Sequence, residues 1–187
     1  MAKVATKEDQ ARFISTMADA IYSQKDLFGL FPSVIIAQGA LESGWGLSGL
    51  SQKYNNYFGV KASASKFSDA WDPARSKSVN VTTSEFLDGA WNNSYRDNFR
   101  VYDTVADSIL DHNALIAKAP RYKAALSAAT PDEQIRAIWS AGYATDPDYV
   151  GKVLSIINRY GLRQYDEEYI QRKKKEKPTL PCGCCLP

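Results

Sequence analysis

The chain of 187 residues is long enough for one domain with a substantial buried core. Charged residues make up 24% of the sequence and the net charge is only +2, which argues against a nucleic-acid partner. All three cysteines lie in the last six residues, which excludes a disulfide framework and a thiol nucleophile in the folded body.

The first quarter of the chain is predicted to form two helices. Residues 8–23 carry one apolar stripe at helical spacing, which is typical of an amphipathic surface helix. Pro32 suits the first turn of a second helix, which we expect to end at about Glu42. Because apolar residues cover more than one face of this second helix, we expect it to lie at the centre of the domain.

The character of the sequence changes over residues 48–102, where Gly, Asn, Ser and Asp are frequent and helical periodicity disappears. Residues 79–83 alternate like a strand, and residues 88–89 (Asp-Gly) form a good tight turn. Residues 90–95 are the candidate returning strand. We therefore predict a small β-hairpin lobe at about residues 62–98.

Helical patterns return after this lobe and continue almost to the end of the chain. The predicted segments are Thr104 to Lys118 with Asp107 completing a capping box, Tyr122 to Ala128, Thr130 to Gly142, and Asp146 to Gly161. We expect one mostly helical α+β domain at residues 1–166. Residues 167–187 are charged and then rich in Pro and Cys, so we interpret them as an appended tail.

The segment around Glu42 is the strongest candidate for chemistry. A buried helix carries this carboxylate to its end, where Gly44 and Gly46 stop the helix on either side of Trp45. Loss of water, the negative end of the helix dipole and an apolar aromatic neighbour would each raise the pKa of Glu42. A carboxyl group that stays protonated near neutral pH is suited to general acid catalysis.

A general acid needs a second group, and two residues are candidates. Glu85, in the predicted hairpin, is either a second carboxylate for glycosidic bond cleavage or an exposed strand residue. Tyr143 follows Gly142 and either orients a substrate amide, stabilises a cationic transition state, or only packs between helices. In the loop Asn55 to Gly59, amides and aromatic faces resemble a sugar-binding edge, although inward packing would explain them equally well.

Other classes of site have little support in the sequence. His112 is the only histidine and is expected to be a half-buried helix residue, so we expect no histidine-based triad and no metal site. No phosphate-binding loop is present, so we expect no cofactor. For Cys182, Cys184 and Cys185, partner docking, cross-linking, metal binding and lipid attachment remain equal alternatives.

Five segments, taken together, resemble glycoside hydrolase family 73, the endo-β-N-acetylglucosaminidases of autolysins, flagellar peptidoglycan hydrolases and phage lysins. They occur in the family's order across roughly residues 8–165. The matching segments are Pro32 to Gly46, Asn55 to Lys61, Thr83 to Phe86, Phe99 to Tyr102, and Ala141 to Tyr149.

The resemblance implies a lysozyme-like fold in which a helical lobe and a hairpin lobe flank a cleft. It implies cleavage of the β-1,4 bond after N-acetylglucosamine in the glycan strands of peptidoglycan. Glu42 matches the general acid, Glu85 the second acidic residue and Tyr143 a tyrosine facing the cleft. The expected substrate-binding residues are Trp45, Asn56, Tyr57 and Tyr149.

Two mechanisms are compatible with these residues. In one, Glu85 activates a water molecule and the anomeric configuration is inverted; in the other, the substrate's own acetamido group attacks while Tyr143 positions it. A muramidase, a lytic transglycosylase and a non-catalytic glycan-binding component of a virion or secretion tail are the alternative functions.

No secretory signal and no membrane-spanning segment is visible in the sequence. We therefore expect synthesis in a cytoplasm and action on the bacterial cell wall, as a phage lysin, a virion component or a secreted effector. The tail is the expected contact with a virion or a secretion machine.

Overall fold

Eight α-helices, one short 3-10 helix (Pro120–Tyr122) and one β-hairpin are the regular elements of the described part of the chain. The computed structural model describes residues 4–63, 65–87 and 90–176, with backbone only for 83–87, 90–95 and 176. The helices are α1 (Lys7–Tyr22), α2 (Pro32–Ser43), α3 (Gly49–Tyr54), α4 (Val105–Lys118), α5 (Lys123–Leu126), α6 (Pro131–Ser140), α7 (Tyr149–Arg159) and α8 (Arg163–Glu176). Strands β1 (Ser78–Leu87) and β2 (Ala90–Arg100) form an antiparallel sheet.

Helix α2 is the centre of the domain, as its apolar faces predict. Every residue from Pro32 to Ala40 is buried, and α1, α6, α7 and α8 all contact the helix. Gly39 allows the close approach of α1, because a Cβ atom there would lie 3.0 Å from the Met17 side chain. Burial on all sides fixes both the axis of α2 and the place where it ends.

A left-handed turn ends α2. Gly44, Trp45 and Gly46 follow one another with φ angles of 58°, 63° and 73°. The left-handed region is easy for glycine but costs a residue with a Cβ about 1–2 kcal/mol. The Trp45 ring compensates by packing against Phe13 and Tyr160, with centroid distances of 5.8 and 4.6 Å.

The hairpin contains one irregularity. The register pairs Thr83 with Tyr95 and Glu85 with Asn92, so two residues of β2 lie opposite one residue of β1. This arrangement is a β-bulge, which bends the strand that carries the extra residue and increases the local twist. Both strands extend beyond the predicted segments, and the predicted Asp-Gly turn at residues 88–89 lies outside the described residues.

Two helices were not predicted. Helix α3 interrupts a region expected to have no helix; Ser48 caps it, and its six residues are too few to show a clear period. Helix α8 is the other; it spans Asp166, after which the domain boundary stays a prediction. Residues 167–176 continue this helix, where the Tyr22 hydroxyl donates to Glu168 at 2.7 Å. Residues 177–187, with all three cysteines, lie outside the described residues.

The capping signals at α4 and α6 are confirmed, whereas α7 begins at Tyr149 and not at the predicted Asp146. Thr104 and Asp107 form the predicted capping box of α4, and Thr130 caps α6 with Pro131 in its first turn. Among the described residues, none of the helices combines the length and the apolar character needed to cross a bilayer.

A buried ion pair joins the hairpin to the helical body. Arg100, the last residue of β2, donates from Nη1 to Asp111 Oδ2 of α4 at 2.6 Å, and both side chains are fully buried. The hydroxyls of Tyr102 and Ser68 also donate to Asp111, at 2.8 and 2.7 Å. The Arg100 guanidinium lies 4.2 Å from the centroid of the Trp71 ring. Because each charge is paired and hydrogen-bonded, the cluster is a stable anchor for the hairpin.

Replacement of Arg100 by Met should destabilise the protein by about 3–5 kcal/mol, because it leaves the Asp111 carboxylate buried without its partner. Urea denaturation followed by circular dichroism measures the free energy of unfolding. Arg96→Met is the matched control, since Arg96 is exposed on the same strand. Adding Asp111→Asn to Arg100→Met should restore part of the loss. Equal stability of the Arg100→Met and Arg96→Met proteins would contradict the role of the pair.

Candidate active site

Glu42 lies in the last turn of α2, where this buried helix reaches solvent. Its side chain is exposed, whereas the nine residues from Pro32 to Ala40 are buried. The Tyr149 hydroxyl donates to Glu42 Oε1 at 3.0 Å, and it accepts a hydrogen bond from Gln38 Nε2 at 3.1 Å. Gln38 precedes Glu42 by one helical turn, so both face Tyr149 from the same side of α2. One carboxyl oxygen is thus held by a buried tyrosine.

The surroundings of Glu42 favour its protonated form. Part of the side chain is exposed to solvent, and protein packs around the rest of it. The resulting desolvation raises the pKa of Glu42. The hydrogen bond from Tyr149 acts in the opposite direction and is the smaller influence on this pKa. The aromatic residue hydrogen-bonded to Glu42 is Tyr149, and the Trp45 indole packs against Phe13 and Tyr160.

Tyr143 belongs to the same cluster. It follows the end of α6, is half-buried, and its ring lies 5.8 Å from the ring of Tyr149. Burial raises the pKa of Tyr143 well above its usual value, and the negative charge of nearby Glu42 raises it further. Both tyrosines therefore stay protonated and act through hydrogen bonds.

Two of the expected sugar-binding residues, Asn56 and Tyr57, lie in the loop after α3 and differ in burial. Asn56 is 1% exposed, and its amide donates to the carbonyls of Val60 and Arg100 and accepts from the Val60 N–H. These bonds hold the loop together, and the role of Asn56 as a substrate contact stays a prediction. Phe58 is in the core. Tyr57 is half-buried, and its ring packs against Phe13.

Two further expected substrate contacts have different positions. Trp45 is half-buried, so part of its ring remains accessible beside the end of α2. Tyr149 is 3% exposed and its hydroxyl is bonded to Glu42 and Gln38. This geometry makes Tyr149 a residue that orients the carboxyl group rather than one that lies against a sugar.

Glu85 is described by its backbone only. It lies on β1 directly after the bulge and pairs with Asn92. The described atoms do not include its carboxyl group, so its role as second catalytic group stays a prediction.

The sequence did not identify Gln38 or His112 as parts of the site. Gln38 had a usable signal, since it is a polar residue within an apolar helix and lies four residues before Glu42. His112 was expected to be half-buried, but it is 1% exposed and its Nε2 lies 3.1 Å from the Tyr143 hydroxyl. Nothing in the local sequence of α4 connects it to a residue 31 positions away.

Comparison with known proteins identifies the family. Residues 18–162 match the Glucosaminidase family, described as mannosyl-glycoprotein endo-beta-N-acetylglucosaminidase. The chain therefore belongs to the glucosaminidase family of glycoside hydrolases, which confirms the resemblance to glycoside hydrolase family 73.

Two relatives and one solved structure show the extent of the similarity. The chain is 34% identical over 165 residues to the exo-glucosaminidase LytG of Bacillus subtilis, covering 86% of this chain and 55% of LytG. It is 34% identical over 155 residues to the peptidoglycan hydrolase FlgJ of Salmonella typhimurium, covering 81% of this chain and 46% of FlgJ. The chain thus spans about half the length of these two relatives, at 55% and 46%.

The solved structure is the catalytic domain of the autolysin Auto from Listeria monocytogenes. It matches this chain with a TM-score of 0.70 at 31% identity, covering 88% of this chain and 92% of that domain. The mostly helical α+β fold with a lysozyme-like arrangement, predicted from the sequence, is confirmed.

Replacement of Glu42 by Gln should stabilise the protein at neutral pH. The folded state raises the pKa of Glu42 above its ordinary value of 4.5, so the wild-type protein loses stability as the pH rises through that raised pKa. Glutamine does not ionise and avoids this loss. Thermal unfolding at several pH values should show a higher Tm for Glu42→Gln at pH 7 and converging curves below pH 4.5. Glu8→Gln, at an exposed position, is the control and should show no such gain.

Proposed function

We propose that this chain hydrolyses the β-1,4 bond between N-acetylglucosamine and N-acetylmuramic acid in peptidoglycan, cutting within glycan strands. Membership of the glucosaminidase family supports the reaction class. The substrate is supported by the relatives, since FlgJ is named a peptidoglycan hydrolase and LytG an exo-glucosaminidase.

The observation that carries the proposal is the state of Glu42. A carboxyl group with a raised pKa, open to solvent on one side and held through Oε1 by Tyr149, is a preorganised proton donor. Because Oε1 accepts from Tyr149, the other carboxyl oxygen is the one that carries the proton toward the glycosidic oxygen. Departure of the leaving sugar then requires stabilisation of positive charge at the anomeric carbon.

We propose that the substrate's acetamido group supplies this stabilisation. Its carbonyl oxygen forms a bond to the anomeric carbon while the glycosidic C–O bond breaks and the Glu42 proton passes to the leaving oxygen. Water then attacks the same carbon, the new C–O bond breaks, and the Glu42 carboxylate takes the proton released by water. Tyr143 supports this route, because its ring lies 5.8 Å from the ring of Tyr149, whose hydroxyl donates to Glu42.

Replacement of Glu42 by Gln should reduce hydrolysis of purified peptidoglycan by about 10²–10⁴-fold, the usual contribution of a general acid. Mass spectrometry of the digest should find reducing N-acetylglucosamine ends inside cleaved strands. Glu8→Gln should digest like the wild-type protein. Anhydromuramic or reducing muramic ends would instead indicate a transglycosylase or a muramidase, and single sugars released from chain ends would indicate an exo-acting enzyme. Full activity of Glu42→Gln would refute the assigned acid.

The configuration of the first product tests the second half of the mechanism. Attack by the acetamido group and then by water inverts the anomeric carbon twice, so the product should first appear with retained β configuration. Proton NMR during the first minutes of digestion, before mutarotation, measures this. A product released as the α anomer would support Glu85 as the base that activates water.

The route by which the protein reaches the cell wall stays a prediction. Delivery as a phage lysin, a virion component or a secreted effector is the expectation drawn from the sequence. The two relatives named above come from bacteria.

A further inference from the structure

A buried histidine lies directly behind Tyr143. His112 Nε2 is 3.1 Å from the Tyr143 hydroxyl oxygen, and the two rings meet edge to face with a centroid distance of 5.9 Å. On its other side, the imidazole stacks on Phe58 with a centroid distance of 3.9 Å and an interplanar angle of 16°. The orientation of the ring is therefore fixed by a stacked neighbour.

The second nitrogen of His112 also has a partner. Nδ1 lies 3.1 Å from Asn113 Oδ1. Asn113 Oδ1 faces Nδ1 in this orientation of the amide, and a carbonyl oxygen can only accept a hydrogen bond. This amide orientation assigns the proton to Nδ1 and the lone pair to Nε2. Burial lowers the pKa of His112 to about 4, so the imidazole is neutral at the pH of most cell surroundings.

This tautomer decides the direction of the Tyr143 hydroxyl. An Nε2 atom without a proton can only accept, so the Tyr143 O–H donates to His112. The lone pairs of the Tyr143 oxygen can then accept a hydrogen bond from another group. A hydrogen bond donated to a strong acceptor also makes the donor oxygen a better acceptor for the next group.

We propose that His112 is a positioning residue that commits Tyr143 to accept a hydrogen bond from the acetamido N–H of the substrate. This inference rests on the proposed function and names a group that has no contact with the substrate. An N–H held by Tyr143 orients the acetamido carbonyl toward the anomeric carbon, and the positive charge that develops on this nitrogen is stabilised by the same hydrogen bond.

The neighbours of His112 explain why the ring cannot move away from Tyr143. Asp111 ties the preceding position of α4 to Arg100, and Asn113 holds the ring from the following position. A purely packing role would be met by phenylalanine, which also stacks on Phe58 and has no polar atoms to satisfy in the core. The two ring nitrogens each have a partner, which indicates a role in hydrogen bonding.

The presence of a single histidine allows a direct spectroscopic test. In the ¹⁵N-labelled protein without a histidine tag, a long-range ¹H–¹⁵N correlation spectrum contains one imidazole. We expect a protonated Nδ1 and an unprotonated Nε2 at neutral pH. In Tyr143→Phe, the Nε2 resonance should shift because its hydrogen bond is lost, whereas Nδ1 should change much less. A proton on Nε2, or an Nε2 chemical shift that is the same in the wild-type protein and in Tyr143→Phe, would overturn the proposal.

Two variants test the effect on catalysis. His112→Phe keeps the stacked ring and removes both nitrogens, and kcat on purified glycan strands should fall roughly tenfold, the effect of losing one hydrogen bond in the transition state. KM should change less, because the bond matters most when charge develops. His112→Gln places an amide oxygen near the former Nε2 position and should recover part of kcat. Wild-type kcat in His112→Phe would contradict the proposal.

The spectroscopic result does not depend on turnover, so the two proposals fail in different ways. If Glu42→Gln retains activity, the proposed function is wrong while the tautomer of His112 is unaffected. If the tautomer is the opposite one while Glu42→Gln is inactive, the general acid stands and the positioning role of His112 is wrong. Thermal unfolding of His112→Phe separates a loss of fold from a loss of catalysis.

Discussion

The complete burial of helix α2 is the constraint on which the rest of the structure depends. A helix enclosed by α1, α6, α7 and α8 cannot rotate or slide, so its last turn has one position. That position is where Glu42 meets solvent and where Tyr149 of α7 reaches its carboxyl group. The energy that holds Glu42 in place therefore comes from the hydrophobic core and not from contacts made by the carboxyl group itself. The left-handed turn at Gly44, Trp45 and Gly46 then turns the chain away shortly after Glu42.

Helix α4 connects the hairpin to the candidate site, because three successive residues of this helix contact three different side chains. Asp111 is paired with Arg100 at the base of the hairpin, His112 contacts Tyr143, and Asn113 holds the His112 ring. The side chains of Asp111 and His112 leave the helix about 100° apart, so one helix can anchor the hairpin on one side and support the site on the other. The position of the hairpin and the orientation of Tyr143 are therefore set by the same rigid element.

Much of this fold was predictable from the sequence because its signals are local. Each signal lies within a few residues of sequence: the apolar faces of α2, the capping box at Thr104 and the Gly-Trp-Gly segment. The candidate acid Glu42 was identified from the same kind of local signal. The short helix α3 was missed because six residues give no measurable period, and α8 was missed because its composition is that of a solvated tail. Tyr149 was recognised but its role was not, since the bond to Glu42 joins residues 107 positions apart. The loop-closing bonds of Asn56 were not predictable, because an amide that closes a loop and one that contacts a sugar have the same local sequence.

The attachment of the hairpin has a consequence for how such a protein can diversify. Its base is fixed by the Arg100 ion pair, by the Asn56 amide, and by main-chain bonds from Ala62 N to Asn98 O and from Arg100 N to Val60 O. These fastenings lie at the end of the hairpin farthest from its turn. Changes of length or sequence toward the turn are therefore uncoupled from the folding energy of the helical body, as is common for surface loops on a rigid scaffold. The hairpin can therefore change during evolution without moving Glu42.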